Sequence, residues 1–497
     1  MVIVKTTKGE IKGVQESNYQ CFLGIPFAKP PLEDLRFREP QPMDSWDDIK
    51  DATQFGSIPP QNNKDNPPIN QNESEDCLYL NIWTPAADKK ARVVMFWIYG
   101  GGFVIGASSR DRLNGARLAV HGDVVVVNFN YRLGALGFLN LPGIPPNIGI
   151  QDQIAALKWV NENIKQFGGD PNNITIFGES AGAGSVAILL AIPASRGLFH
   201  KAIMESGTAN PKGFGPRRPR EGAEEFLAKL RIEKENINDL RKLPLKKIMR
   251  AQKRIAGGLE QIANVPFRPF IDGKIIPEHP LEIIRKGKAS NVPIIIGSNR
   301  DELAFISLLL NQATDEGTKK SIMRTVQAQI RFFGIEKQKL DKIMAFYKEF
   351  MEKKYPNNPY KYLDAFISDC MFGIPVIRNI EAYLKYQPNI YCYIFTYGSR
   401  IDGTAFHTIE IPFVFGNLDT TDTQKGAIGT GEEELQLAKN VMDAWVAFAR
   451  TGNPNHDGLP EWSIYDLKRR AIMMLGINSK VEDDPIEDIR KAWDDII

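Results

Sequence analysis

The sequence predicts an α/β protein built on a mostly parallel sheet with helices covering both faces. Three observations carry this. Val93–Tyr99 and Val124–Asn128 are apolar runs of strand length with almost no polar alternation, so both faces of each strand need cover. Gln151–Phe167 places Ile154, Leu157, Val160, Ile164 and Phe167 on one helical stripe between strand runs. Finally, Ile174–Phe177 leads through Gly178-Glu179-Ser180-Ala181-Gly182 directly into a helix-forming run. That is G-x-S-x-G between a strand and a helix, a sharp turn that lifts a serine Oγ clear of the sheet.

In chain order, the opening MVIVKTTKGEIKGV alternates like an edge strand, and proline-punctuated segments follow to residue 50. Residues 54–73, rich in Asn and Pro, read as a surface loop. Strands and helices then alternate through the turn at Ser180 to a further strand, Lys201–Glu205. Beyond Ser206 the chain becomes helical and charged over about 210–290 and 303–388, which reads as helical insertions above the sheet. Strand signals return at Val292–Ile296, Ile390–Tyr397 and Ala471–Leu475. A helix over Glu432–Arg450 is expected to bury Leu435, Ala438, Met442, Trp445 and Ala449. No repeat or low-complexity linker divides the chain, so residues 1–497 read as one domain.

Composition narrows the function. With 43% hydrophobic and 25% charged residues the chain fits a soluble globular protein, and a net charge of +2 without charged blocks argues against nucleic acid as partner. The densest basic group, Lys242, Lys246, Lys247, Arg250, Lys253 and Arg254, reads as a solvated helix face. Cys21, Cys77, Cys370 and Cys392 are scattered with no C-x-x-C, so neither zinc nor a redox motif is indicated. The longest uncharged run, Val93 to Ser109, is too short and too glycine-rich to span a membrane. Without an apolar signal region at the start, the sequons at Asn72 and Asn173 carry little weight. The expectation is a cytoplasmic protein, monomeric, with no membrane, metal or cofactor.

A serine nucleophile needs a base, and the base needs an orienting acid. Of five histidines, His121 and His200 precede strands at the wrong end of a parallel sheet, His279 lies between prolines, and His456 sits in an exposed loop. His407 follows the strand Ile390–Tyr397, at the carboxyl edge where α/β sites gather. The acid should also follow a strand, and Val292–Ile296 runs into Gly297-Ser298-Asn299-Arg300-Asp301-Glu302. Spacing does not separate Asp301 from Glu302. For the oxyanion, Val93–Tyr99 ends in Gly100-Gly101-Gly102-Phe103, whose bare backbone N–H groups can approach a substrate oxygen, with Ala181 N–H as a further donor. A phosphate loop fails: Ala107 stands where that motif needs lysine, and no G-x-G-x-x-G exists.

With these residues in view, the chain resembles the type B carboxylesterases, an α/β-hydrolase family that includes bacterial para-nitrobenzyl esterases and animal cholinesterases. FLGIPFAKPP, SEDCLYLNIW, WIYGGGF, NYRLGALGF, FGGDPNNITIFGESAG and AFHTIEIPFVFG match family blocks in order over almost the whole chain. The resemblance implies a Ser-Glu-His triad. Its N-x-D-E block matches Asn299-Arg300-Asp301-Glu302 and selects Glu302; His407 matches the base, and Gly101, Gly102 and Ala181 the oxyanion donors. Arg132 and Asp152 fall on a structural ion pair, and Ser206 on a supporting serine near the acid. Phe103, Phe305, Met371 and Phe372 are expected along an acyl pocket.

Departures are informative. Cys77 has no partner cysteine in the preceding loop, so the disulfide of secreted relatives is absent; nor does that loop hold the tryptophan that binds choline in cholinesterases. Thr408 replaces the glycine that follows the base in cholinesterases. The bacterial esterases are the closer likeness. The resemblance implies a cofactor-free carboxylesterase acting on short to medium-chain esters through an acyl-serine. Alternatives are a lipase or a carbamate or amide hydrolase of the same mechanism. A non-catalytic adhesion module fits poorly, because such members lack the serine.

Overall fold

The computed structural model describes residues 1–62, 72–211, 213, 215, 217–255, 266–420 and 426–496. Among these, thirteen strands form one sheet: β1 (Val2–Lys5), β2 (Glu10–Gln15), β3 (Gln20–Pro26), β4 (Lys50–Asp51), β5 (Tyr79–Thr84), β6 (Arg92–Ile98), β7 (Val125–Phe129), β8 (Gly169–Glu179), β9 (Lys201–Glu205), β10 (Ile294–Asn299), β11 (Ile390–Phe395), β12 (Ala471–Leu475) and β13 (Lys480–Asp483). Their order is β1-β2-β3-β5-β7-β6-β8-β9-β10-β11-β12-β13, with β4 beside β2. From β7 to β12 every neighbour is parallel. β1, β2, β3 and β5 pair antiparallel in turn, as do β5 with β7 and β12 with β13, while β4 lies parallel to β2.

Burial follows the composition of each strand. β6, β7, β9 and β10 are buried along their whole length, as runs without polar alternation require. The expected alternating edge is the β1–β2 hairpin. β10 continues to Asn299, past the expected end at Ile296, because the ladder with β11 carries Ser298 and Asn299 despite their low strand propensity. The stripe predicted over Gln151–Phe167 is a helix at Ile148–Asn163 followed by a 3₁₀ turn at Ile164–Phe167, and all five stripe residues are buried.

One stripe was misplaced. Leu435, expected in the core, is 56% exposed. The helix Glu432–Thr451 instead buries Leu437, Val441, Ala444 and Phe448 alongside Ala438, Met442, Trp445 and Ala449, which leaves Leu435 to the side of that face in the first turn. Of the surface loop read at 54–73, residues 63–71 lie outside the described residues; the rest is irregular, with a bridge between Ile58 and Glu73. Among the described residues of the first charged stretch, of which 212, 214, 216 and 256–265 are not described, lie the helices Arg217–Leu230, Asp239–Lys242, Leu245–Lys253 and Pro280–Arg285.

The second stretch holds Phe305–Gln312, Glu316–Phe332, Lys337–Lys354, Lys361–Ser368, a π-helical turn Asp369–Gly373, and Ile374–Tyr383. These pack a separate apolar cluster, with Leu310, Ile343, Tyr347, Phe366 and Ile367 joined by Trp493 from the carboxyl-terminal segment. Among the described residues no helix is long and apolar enough to cross a membrane.

The loop after β7 is tied to the helix Ile148–Asn163 by a buried ion pair. Arg132 donates from Nη2 to Asp152 Oδ1 at 2.6 Å and from Nε to Oδ2 at 2.8 Å, and its backbone N–H adds a bond to Oδ2 at 3.0 Å. The side chains are 4% and 0% exposed. Removing one member strands the other charge in the core, so Asp152→Ala is expected to lower unfolding stability by about 3–5 kcal/mol in denaturant titration. Lys337→Ala, which breaks an exposed pair with Asp341, is expected to leave the midpoint unchanged.

Candidate active site

β8 delivers Ser180 to the carboxyl edge of the sheet in a conformation few side chains accept. Ser180 has φ 56° and ψ −121°, outside the regions open to ordinary residues. The turn closes only because Gly182 lacks a Cβ: one built there would lie 1.9 Å from the Ile98 carbonyl oxygen. Ser180 N–H donates to Glu205 O at 2.8 Å, and Ser180 O accepts Gly184 N–H at 2.9 Å, starting the buried helix Ala181–Ala191.

His407 and Glu302 reach the serine from two neighbouring loops that follow β11 and β10. His407 Nε2 lies 2.9 Å from Ser180 Oγ, and Nδ1 lies 2.6 Å from Glu302 Oε2. Glu302 is buried, and its Oε1 accepts Asn299 N–H at 2.8 Å. Asp301, its rival in the sequence, points elsewhere, toward Arg300, Lys361 and the backbone of Ala405. The other four histidines have structural partners. His121 pairs with Asp443, His200 and His279 accept backbone N–H groups, and His456 bridges Asn440 and Gly458.

The glycine loop after β6 lies against the serine: a Cβ on Gly100 would stand 2.9 Å from Ser180 Cβ. Gly101, Gly102 and Phe103 all have positive φ, at 109°, 60° and 65°. Gly101, Gly102 and Ala181 line a cavity of about 800 Å³ beside Ser180. Phe103, Phe305, Met371 and Phe372 line it as well. Phe372 arrives on the π-helical turn and sets its ring 4.8 Å from the His407 imidazole.

Beneath the imidazole is a set of buried acids that the sequence reading did not single out. Glu179 Oε1 lies 3.1 Å from His407 Nε2. Burial, with some help from the charge of Glu302, lifts the Glu179 carboxyl to about 7, against the opposing pull of His407 and Arg112. Glu410 accepts from Asn299 Nδ2 at 2.5 Å and from Ser206 Oγ at 3.3 Å. Burial and then the charges of Glu179 and Glu302 raise Glu410 to about 8. Ser206 thus supports Glu410 rather than touching Glu302. Glu205, fully buried, is pushed well above the usual carboxylate range by burial and by Glu410. For His407 burial works downward, yet Glu179, Glu302 and Glu410 outweigh it and raise the imidazole to about 9. The signal was present, since Glu179 is the first variable residue of G-x-S-x-G and Glu410 stands one helical turn after His407.

Comparison with known proteins places the chain in a family. The sequence model of the carboxylesterase family matches residues 1–492. The para-nitrobenzyl esterase of Bacillus subtilis is 37% identical over 98% of both chains. A cholinesterase of Mus musculus is 34% identical over 91% of this chain and 79% of its own. Among solved structures, a carboxylesterase of Geobacillus stearothermophilus superposes with a TM-score of 0.86 at 35% identity, covering 99% of each chain. A thermophilic para-nitrobenzyl esterase gives 0.87 at 34% identity with the same coverage.

An anion beside an imidazole stabilises its charged form, so removing the anion lowers the pH at which the ring loses its proton. Glu179→Gln is therefore expected to lower the titration midpoint of His407, followed by histidine NMR from pH 5 to 10. An unchanged or raised midpoint would contradict the electrostatic assignment.

Proposed function

Since the chain belongs to the carboxylesterase family and is a carboxylic ester hydrolase of the α/β-hydrolase fold, we propose that Ser180, His407 and Glu302 are its catalytic triad. The observation that carries this is the continuous contact from Ser180 Oγ to His407 Nε2 at 2.9 Å and from His407 Nδ1 to Glu302 Oε2 at 2.6 Å. His407 takes the Oγ proton as the oxygen attacks the ester carbonyl. The N–H groups of Gly101, Gly102 and Ala181 receive the oxyanion, aided by the helix that starts at Ala181. Glu302 holds Nδ1–H and stabilises the imidazolium. The alcohol leaves with the proton from Nε2, and water repeats the sequence to release the acid.

The substrates are dissolved short to medium-chain esters. Phe103, Phe305, Met371 and Phe372, which line the cavity, make its wall apolar and suit an aliphatic or aromatic arm. The whole chain acts as one α/β-hydrolase domain, with the helical stretches at about 210–290 and 303–388 as insertions that wall the site. The four cysteines are buried and free, which fits the reducing cytoplasm we assign to the protein.

Turnover of para-nitrophenyl butyrate tests the triad. Ser180→Ala is expected to lower kcat by about 10⁵- to 10⁶-fold and Glu302→Gln by about 10⁴-fold. Mass spectrometry after organophosphate treatment should place the adduct on Ser180. An adduct elsewhere, or Ser180→Ala within tenfold of wild type, would overturn the assignment.

A further inference from the structure

Asp301 is the acid next to Glu302 that faces away from His407, and its side chain is only 10% exposed. Its partners are specific. Oδ2 accepts the backbone N–H of Ala405 at 3.0 Å and the Arg300 Nε–H at 2.7 Å. Oδ1 lies 3.8 Å from the ammonium of Lys361. The Asp301 backbone N–H also donates to Ala405 O at 3.0 Å. The two residues are therefore joined in both directions, two positions before His407.

Other bonds join these loops too, among them one from the buried Asn299 Nδ2 to Phe406 O at 2.9 Å. His407 N–H donates to Glu302 O at 3.0 Å, and Arg300 Nη2 to Gly403 O at 2.7 Å. The Asp301 carboxylate alone among these groups is also gripped from the helical stretch above. Lys361, 9% exposed, approaches Asp364 Oδ2 at 3.5 Å as well. Asp364 in turn accepts both the N–H and the hydroxyl of Ser307, at 2.9 and 2.5 Å. The acid loop, the base loop and the helix Lys361–Ser368 meet at this one carboxylate.

We infer that Asp301 is a positioning residue for the hydrolytic reaction: its Oδ2, by holding Ala405 N–H, sets the place of His407 between Ser180 and Glu302. The base rides on a segment without helix or strand between β11 and the turn at His407, so holding Ala405 helps to place its ring. Arg300 and Lys361 keep the carboxylate from turning toward solvent. Asparagine retains an oxygen that accepts the Ala405 N–H, whereas alanine removes it. The inference rests on the Ser180–His407–Glu302 reading.

The test is kcat and KM for para-nitrophenyl butyrate in wild type, Asp301→Ala, Asp301→Asn and Ser180→Ala. A misplaced base costs about 10- to 100-fold in rate, so Asp301→Ala should lose that much kcat with KM within about twofold, the mark of an interaction that acts in the transition state. Asp301→Asn is expected to stay within about threefold of wild type, because its acceptor remains. Wild-type kcat in Asp301→Ala, a rise in KM alone, or equal losses in both Asp301 variants would each overturn the inference. Should Asp301→Ala not fold, Asp301→Ser, too short to reach Ala405, takes its place under the same criteria. A fully active Ser180→Ala would instead sink the triad reading. An inactive Ser180→Ala beside a fully active Asp301→Ala would sink the positioning role alone.

Discussion

The structure of the site depends on an approach so close that only hydrogen fits between two segments of chain. With Gly182 against the Ile98 carbonyl, the helix Ala181–Ala191 can begin at once where β8 ends, and Ser180 takes up φ 56°. A strained serine persists only where its surroundings over-determine it. Here they do: Ser180 N–H is held by Glu205 on one neighbouring strand, and the Gly100 backbone lies against Ser180 Cβ from the loop after the other. The register of β6, β8 and β9 thus fixes the serine and, beside it, the loop that can receive an oxyanion.

That packing dictates the electrostatics. Around the turn Glu179, Glu205, Glu302 and Glu410 are each no more than 2% exposed. Burial first, with neighbouring carboxylates adding to it, displaces Glu179, Glu205 and Glu410 upward. His407 lines the cavity beside these acids, its side chain 25% exposed. The imidazole is therefore surrounded by groups that favour its charged form, at the cost of a lower neutral fraction at rest.

How far the sequence reveals this differs by element. Strands β6 to β12 are legible because burial on both faces leaves uninterrupted apolar runs, and the strand–turn–helix at Ser180 is legible because close approach demands glycine. Leu435 was misread because a helix of twenty residues has more than one stripe that fits a 3.6 period, and only packing selects Val441 and Phe448 as its centre. The acid was not separable by spacing, since Asp301 and Glu302 are adjacent and both chemically able. The resemblance chose Glu302, and the structure turns Glu302 toward His407 and Asp301 toward Ala405. Glu179 and Glu410 went unnoticed for a different reason: a carboxylate next to a motif reads as solvated until the fold buries it.

The sheet and the helical stretch contribute different things to the reaction. Ser180, Glu302 and His407 all follow strands of the parallel sheet, whose ladders place their ends in neighbouring lanes. Phe305, Met371 and Phe372 come from a stretch with its own apolar cluster, which includes Leu303, next to the acid, and Phe372, against the base. The walls of the cavity can therefore be rebuilt through Phe305 or Met371 without touching the sheet, whereas any change that shifts Leu303 or Phe372 reaches the reacting groups. At Phe372 the packing of the helical stretch and the surroundings of His407 are the same contact.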